Sequence, residues 1–202
     1  MKTDIYRFER DQTDVDSISE LASKIAVYNG LDRDQELKLN LLCEELIELL
    51  PNLLKYGNGR FWIENKEREY ELHAVVEADE LLSGESMESI LSVSKTGRNV
   101  AAVGIMGRIR AAAEMMLARY AQSVGTSGAP AVGTGTVLYD KGQFADPIGY
   151  TNEWSLEKYR TEVTKGTEAW DELEKSIVAN MADDVTVGIM GGRVEITVKK
   201  KF

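Results

Sequence analysis

The sequence predicts an α+β fold, in which helices cover one face of a mixed, mostly antiparallel sheet to make a two-layer sandwich. The first observation behind this is the order of the elements: a strand, two helices, a hairpin, further helices and a closing hairpin. Helices separated by hairpins are typical of this class and not of a doubly wound parallel sheet. The second observation is the length of 202 residues, which suits a single domain over residues 1–202.

A strand and a helix open the chain. Residues 5–8 alternate apolar and polar side chains, which indicates a short strand. Over residues 14–28 apolar side chains recur every three or four positions, which is the pattern of an amphipathic helix. Asp14, Asp16 and Ser17 are alternative N-caps of this helix.

A second helix is predicted over residues 34–50, after a break at Gly30. Pro51 should end or kink it, because proline lacks the N–H that would bond to the carbonyl of Ile47. Glu44 and Glu48 lie one turn apart, in line with Asn40, and should form a solvated stripe. The core stripe consists of Leu39, Leu42, Leu46, Leu49 and Leu50.

The Gly-Asn-Gly run at 57–59 predicts a turn before a hairpin of strands 61–64 and 70–76. In the middle of the chain we expect a short helix in residues 81–93, a loop at 95–99, a long helix over 100–121 and a flexible small-residue stretch at 125–135. Residues 139–152 read as irregular, and residues 154–181 as helical with a break near Gly166. Strands 185–189 and 194–198, with a Gly-Gly turn between them, close the chain.

Composition excludes several classes of function. The net charge of −10 argues against nucleic-acid binding, which depends on clustered Lys and Arg. No apolar run is long enough to span a membrane, and the first residues lack the apolar region of a secretory signal, so we expect a cytoplasmic protein. Cys43 is the only cysteine and should be a small buried hydrophobe. His73 is the only histidine, and we interpret it as a sheet residue and not as a catalyst.

Glu45 is the most informative acid of the second helix. It lies three residues after Leu42 and four before Leu49, and therefore on the apolar stripe. A carboxylate on the core-facing side of a helix is costly unless something pairs with it. Two interpretations stay open: Glu45 reaches water or a buried cation at the edge of the core, or it faces a ligand cavity beneath the helix.

Both ends of the chain resemble the histidine-kinase-like (GHKL, Bergerat-fold) ATPases, and most closely their anti-sigma-factor serine kinase branch. The segment LNLLCEELIELLPNLLK at 39–55 is similar to their helix of the form L-x-L-x-x-x-E-x-x-x-N, which a glycine-bounded turn and a hairpin follow. Residues 170–199 resemble their closing helix, strand, turn and strand. The resemblance covers about 1–78 and 170–199 and leaves a non-matching helical and glycine-rich insertion at about 80–169.

The resemblance implies a Bergerat-like sheet, ATP with Mg²⁺ as cofactors, and two alignments of the site. In the first, Glu48 is the catalytic acid and Asn52 the magnesium and nucleotide ligand, but Pro51 lies between them. In the second, Glu45 is the catalytic acid, and the asparagine position holds Leu49, which cannot bind a metal.

Two further segments belong to the expected nucleotide site. Asp79 stands near the aspartate that would bind adenine, although the expected D-x-G-x-G reads ADELLSG here. The run SKTGRNVAAVGIMGRIR at 94–110 is either an anion-binding helix start or an ordinary helix start with surface cations. Its candidate nucleotide-binding residues are Lys95, Thr96, Gly97, Arg98, Gly104 and Gly107.

The missing motifs favour a degenerate member of the resembled family. We therefore expect a regulatory protein that acts through a protein partner, either a sigma-like factor or an antagonist. Catalysis of the serine-kinase type should be lost, and nucleotide binding without turnover is left open. A homodimer is plausible for the resembled branch. The alternative is an unrelated α+β protein, either a small-molecule binder or a subunit, that uses no ATP.

Overall fold

The structure is a computed structural model, and it describes most of the two ends of the chain. The described residues are 1–9, 13–53, 56–78, 151–163, 165–167, 169–171, 176–190 and 192–202, together with eight separate residues between 105 and 120. The predicted helix at 81–93, the loop at 95–99 and the glycine-rich stretch at 125–135 lie outside them.

Six strands form one sheet, which confirms the predicted α+β class. The strands are β1 (Tyr6–Glu9), β2 (Tyr56–Lys66), β3 (Glu69–Ala78), β4 (Thr151–Ser155), β5 (Asp184–Met190) and β6 (Arg193–Lys201). Their order in the sheet is β1-β2-β3-β6-β5-β4, and every neighbouring pair is antiparallel. The last strand of the chain, β6, therefore lies inside the sheet between β3 and β5.

The helices form the second layer. They are α1 (Val15–Tyr28), α2 (Arg33–Leu53), α3 (Leu156–Glu162) and α4 (Ile177–Met181). α1 packs against α2, and α2 contacts α4, β3 and β6. Buried apolar side chains of these helices and of one sheet face form one hydrophobic core cluster.

α1 begins where Asp14 caps it. The Asp14 carboxylate accepts a hydrogen bond from the backbone N–H of Asp16, so the structure selects Asp14 among the three alternative caps. Asn29 is the C-cap, and Gly30 follows with a φ of +67°, a conformation that favours glycine. The boundaries of α1 therefore agree with those predicted from the sequence within one residue.

α2 is longer than predicted at its C-terminal end. Pro51 does not end the helix, which continues to Leu53. Proline removes only the hydrogen bond that its own N–H would donate to Ile47, and the next residues keep their donors. Leu39, Leu42, Leu46 and Leu50 of the predicted stripe are each at most 1% exposed.

β2 begins earlier than predicted, because the expected turn at 57–59 belongs to the strand. Gly59 pairs with Phe8 of β1, and the Phe8 ring lies directly over it. A Cβ atom on Gly59 would lie 2.2 Å from Cε2 and Cζ of that ring. Glycine here provides room for an aromatic ring and does not mark a turn. The pairing of β2 with β3 shifts between Tyr56 and Gly59, which indicates a bulge.

The eight described residues between 105 and 120 are all helical, in agreement with the predicted helix. The pentapeptide VGIMG occurs at 103–107 and again at 187–191, which we interpret from the sequence as coincidence. Ile105 of the first copy is helical, whereas residues 187–190 of the second copy form part of β5. The two copies therefore do not form a structural repeat. Five of the eight residues are buried in the core: Ile105, Ile109, Ala113, Met116 and Leu117.

The segment before the closing hairpin is less helical than predicted. Residues 151–152, expected to be irregular, and residues 154–155, expected to be helical, form β4 and pair with β5. This edge strand needs a partner strand to form, and no local pattern announces it. The helix breaks near Gly166, as predicted, where φ is +81°. Arg160 of α3 donates hydrogen bonds to the carbonyls of Ala182 and Asp183 just after α4.

The two hairpins join through β3 and β6. His73 pairs with Thr197, and Glu71 with Lys199. Along β2, Phe61 and Ile63 are buried in the core, while the alternating Trp62 faces the opposite side. We call that side the outer face; it carries Arg60, Trp62 and Glu64 of β2, Glu71, His73 and Val75 of β3, and Glu195, Thr197 and Lys199 of β6.

Candidate functional site

The predicted catalytic acids lie on α2 in different surroundings. Glu45 is partly buried, and Glu48 is exposed. Burial raises the pKa of the Glu45 carboxyl above its usual value, and the negative charges of Glu48 and Glu44 add to the shift. No described residue forms an ion pair or a hydrogen bond with Glu45. The carboxylate of Glu45 is therefore half-buried. Among the described residues, no buried cation pairs with it.

The stripe of Asn40, Glu44 and Glu48 is only partly solvated, which corrects the expectation from the sequence. Asn40 donates from Nδ2 to Ser23 Oγ at 3.2 Å, and Ser19 Oγ donates to Glu44 Oε1 at 3.2 Å. Both serines belong to α1, which packs along this side of α2. The error arose because a single helix pattern does not reveal which neighbour lies beside a polar row.

Glu48 and Asn52 are one turn apart on the same continuous helix. The sequence made this improbable because Pro51 lies between them, but α2 runs through Pro51 to Leu53. Glu48 is exposed, while the side chain of Asn52 lies outside the description. Glu45 has Leu49 one turn later, and that residue offers no ligand atom for magnesium.

The other nucleotide-binding residues predicted from the sequence are not described. Asp79, Lys95, Thr96, Gly97, Arg98, Gly104 and Gly107 all lie outside the described residues. Arg108 lies within the same 94–110 segment, and its guanidinium is 5.7 Å from the ring centroid of Tyr159 in α3. That cation contacts an aromatic ring of the protein in this structure.

Cys43 is fully buried in the core beside α1, as predicted. Burial raises the pKa of its thiol, so the thiolate required for nucleophilic chemistry is disfavoured. Cys43 therefore contributes packing and not reactivity.

His73 lies in the middle of β3, as predicted, but in a polar cluster that the sequence pattern did not reveal. Its ring stacks on that of Trp62, with centroids 4.8 Å apart and planes 6° apart. His73 Nδ1 lies 3.0 Å from Glu195 Oε1 and 3.2 Å from Thr197 Oγ1. The Glu-x-His spacing at 71–73 places two potential ligands on one sheet face, and this was the available signal.

Glu64, Glu71 and His73 could hold a metal ion. Their ligand atoms all lie within 4.8 Å of one another. Hydrogen bonds from Lys2 and Trp62 to the Glu64 carboxylate lower the pKa of that group, so Glu64 is ionised at neutral pH. The sequence alone does not reveal this group, because Glu64 comes close to the other two residues only through the pairing of β2 with β3.

An open cleft lies at the other end of the outer face. Its volume is about 660 Å³, and it is lined mainly by polar side chains. Arg193 pairs with Glu77 at 2.9 Å, whereas Arg7 and Arg60 stand opposite each other on β1 and β2. Adjacent guanidinium groups are suited to carboxylate or phosphate ligands. Arg7 and Arg60 thus give the cleft the donors that a small anion requires, beside the carboxylates of Glu9 and Glu77.

No protein-family model, no curated protein and no solved structure matches this chain. In the part of the chain that the structure describes, no helix has both the length and the apolar character required to cross a membrane.

Proposed function

We propose that this chain is a regulatory protein of the histidine-kinase-like ATPase type, which acts by binding a protein partner and has lost phosphoryl transfer. The observation that carries the proposal is the half-buried Glu45 carboxylate, which has no cation partner among the described residues. Burial opposes its charge, and protein groups with such shifts are concentrated at binding and catalytic sites. In the proposal, Glu45 faces the ligand space beneath α2.

The arrangement of the sheet supports the same proposal. The resemblance requires the hairpin after α2 and the closing hairpin to share one sheet, and β3 pairs with β6 along nine residue pairs from Glu69↔Lys201 to Glu77↔Arg193. α2 packs over both of these strands. The helix that carries the acids is therefore held above the strands that the resemblance assigns to the floor of the site.

Loss of catalysis follows from the chemistry of the two alignments. If Glu45 is the acid, the position one turn later is Leu49, which offers no ligand atom for magnesium. If Glu48 is the acid, its side chain lies at an exposed position of α2 and not on the buried stripe. Phosphoryl transfer depends on a metal ion to position and neutralise the phosphates, and neither alignment combines an acid on the buried stripe with an asparagine one turn later.

Titration of the full chain with Mg-ATP and with ADP by calorimetry tests the proposal. We expect binding without ADP production, and loss of that binding in Glu45→Gln and in Asp79→Ala. Asp34→Asn is the matched control, because Asp34 is an exposed acid of the same helix that pairs only with Lys38. The partner is tested by co-elution with purified sigma-like factors or antagonists. Sustained ATP hydrolysis, or absence of both nucleotide and partner binding, would overturn the proposal.

A second candidate is a small-molecule binder that does not use the α2 site. The cleft with Arg7 and Arg60 supports it, since its volume of about 660 Å³ lies in the range of small-ligand pockets. The same titration separates the two candidates. Nucleotide binding that survives Glu45→Gln but is lost in Arg60→Gln would favour the cleft.

A further inference from the structure

Two glutamates and the single histidine of the chain meet on the outer face. Glu64 of β2 stands directly opposite Glu71 of β3, and His73 lies two residues further along β3 on the same face. The ligand atoms of the three side chains lie within 4.8 Å of one another. Like charges directly opposite each other destabilise paired strands, so a cation between them would stabilise this part of the sheet.

The contacts of His73 leave one ring nitrogen facing that space. Nδ1 lies 3.0 Å from Oε1 of Glu195, and an ionised carboxylate only accepts hydrogen bonds, so Nδ1 carries a proton. In the tautomer with this proton on Nδ1, Nε2 presents a lone pair. This nitrogen is buried and has no hydrogen-bond partner among the described residues, and Oε2 of Glu71 lies 3.6 Å from it. Two acceptors face each other across a gap that a metal ion would bridge.

We propose that Glu64, Glu71 and His73 form a binding site for a divalent transition-metal ion such as Zn²⁺. Nε2 of His73 and one carboxylate oxygen of each glutamate are the three protein ligands. Imidazole with carboxylates suits zinc and its neighbours, whereas Mg²⁺ and Ca²⁺ prefer oxygen ligands alone. Three protein ligands leave a further position on the ion for water or a small ligand.

The distances require only small side-chain movements. Zinc bonds of about 2.0–2.2 Å in a tetrahedron place neighbouring ligand atoms roughly 3.3–3.5 Å apart. The contact between Nε2 of His73 and Oε2 of Glu71 is already near that value at 3.6 Å. The Glu64 side chain is 43% exposed and can rotate towards them.

Two lysines compete with the metal ion for the same carboxylates. Lys2 Nζ lies 3.0 Å from Oε1 of Glu64, and Lys199 Nζ lies 3.2 Å from Oε1 of Glu71. The second oxygen of each carboxylate remains for the ion. Removal of one lysine charge should therefore strengthen metal binding, whereas removal of a ligand should weaken it.

The groups behind the ligands hold them in orientation. Glu195 accepts from the Nδ1 side of His73, which is the usual arrangement of a carboxylate behind a metal-binding histidine. Trp62 stacks on the His73 ring and donates from Nε1 to Glu64 Oε1 at 2.8 Å. Since Trp62 touches two of the three ligands, its fluorescence should report an ion bound there.

Calorimetric titration of the full, tag-free chain with ZnCl₂ tests the site. We expect one saturable site per chain, weakened at least tenfold in Glu64→Gln, Glu71→Gln and His73→Gln. In Glu195→Gln, which only orients the imidazole, we expect a loss of about 10–100-fold. Lys199→Gln should bind more tightly than the unaltered chain. Glu20→Gln is the control, because it removes the same charge from an exposed helix pair with Lys24.

A second measurement, quenching of tryptophan fluorescence, tests the site when a variant folds poorly. NiCl₂ should quench Trp62 fluorescence in the unaltered chain and in Glu20→Gln, but not in the exposed-site variant Glu64→Gln. Equal zinc affinity in the unaltered chain and in His73→Gln, or no saturable binding, would overturn the inference. The outcome is independent of the nucleotide titration, because α2 lies on the opposite side of the sheet.

Discussion

At the scale of single side chains, one partly buried carboxylate, that of Glu45, lowers the stability of the folded protein. Leu42 and Leu46 of α2 are fully buried. Glu45 lies between them and is partly buried, although its side chain carries a carboxylate. The carboxylate has lost part of its hydration, and no described cation compensates for it. Glu45 therefore reduces stability in its charged form.

Replacement of Glu45 by glutamine should stabilise the protein at neutral pH and not in acid. The pKa of Glu45 is raised in the folded state, first by burial and then by Glu48 and Glu44. Below the unfolded pKa of about 4.3 the carboxyl is protonated in both states, and nothing is lost. As the pH rises through the folded pKa, the unfolded state gains more from ionisation, and the native carboxylate lowers stability.

This effect is measured as the urea concentration at half-unfolding, at about pH 3 and at about pH 7. These two pH values lie on either side of the range in which carboxyl groups titrate. Asp34→Asn serves as the control, because Asp34 is exposed and paired with Lys38, so its replacement should bring no stabilisation at neutral pH. An equal effect of Glu45→Gln at both pH values would contradict the assigned cause.

His73 and Glu195 join two distant parts of the chain. They are 122 positions apart in the chain, yet Nδ1 and Oε1 lie 3.0 Å apart. Their environment is polar on the face of a sheet whose other face is core. A histidine in this position is both oriented and partly shielded from water, which is what a metal ligand requires.

Among the secondary-structure elements, the packing of β2 against β1 depends most clearly on one glycine. Gly59 lies under the ring of Phe8, and a Cβ atom there would lie 2.2 Å from two ring carbons. The edge strand β1 is short, and this ring is its buried contribution to the core. The glycine therefore sets how closely β1 approaches β2.

Gly59→Ala should destabilise the protein by about 1–3 kcal/mol, because the added methyl group overpacks the contact with Phe8. Urea denaturation measures the change. Asn58→Ala, at the adjacent exposed position, should change stability by less than about 0.5 kcal/mol. In a Phe8→Leu background the cost of Gly59→Ala should be smaller, since the two residues share one contact. Additive costs would show that the ring does not cause the effect.

The sheet as a whole is organised around the last strand of the chain. β6 lies between β3 and β5, so the C-terminal residues complete its interior. Val194, Ile196 and Val198 of β6 are each at most 1% exposed. β1 and β4 are the two edges and pair on one side only.

Native-state hydrogen exchange should follow this order. Amides of β3 and β6, which pair on both sides, should exchange slowest, and those of β1 and β4 fastest. Mass spectrometry of peptides from the exchanged protein resolves these strands. Exchange of β6 as fast as that of β1 would contradict the strand order, because an edge and an interior strand cannot open with equal ease.

The local patterns of the sequence were sufficient for most elements. The three- and four-residue recurrence in α1 and α2, the period of two in both hairpins and the turn glycine at Gly192 depend on neighbours in the chain, so they could be read directly. The same patterns predicted the buried state of Cys43. They failed at β4, at the strand start near Gly59 and at the polar row of Asn40, each of which depends on a partner element.

The composition and periodicity of the chain thus specify an α+β domain with a carboxylate among the apolar residues of its second helix. The pairing of β3 with β6 and the alignment of β2 with β3 cannot be predicted from composition and periodicity. Those pairings are chosen by the burial of side chains from distant segments, which local periodicity does not encode. For that reason Glu64, Glu71, His73 and Glu195 become one cluster only in the folded sheet.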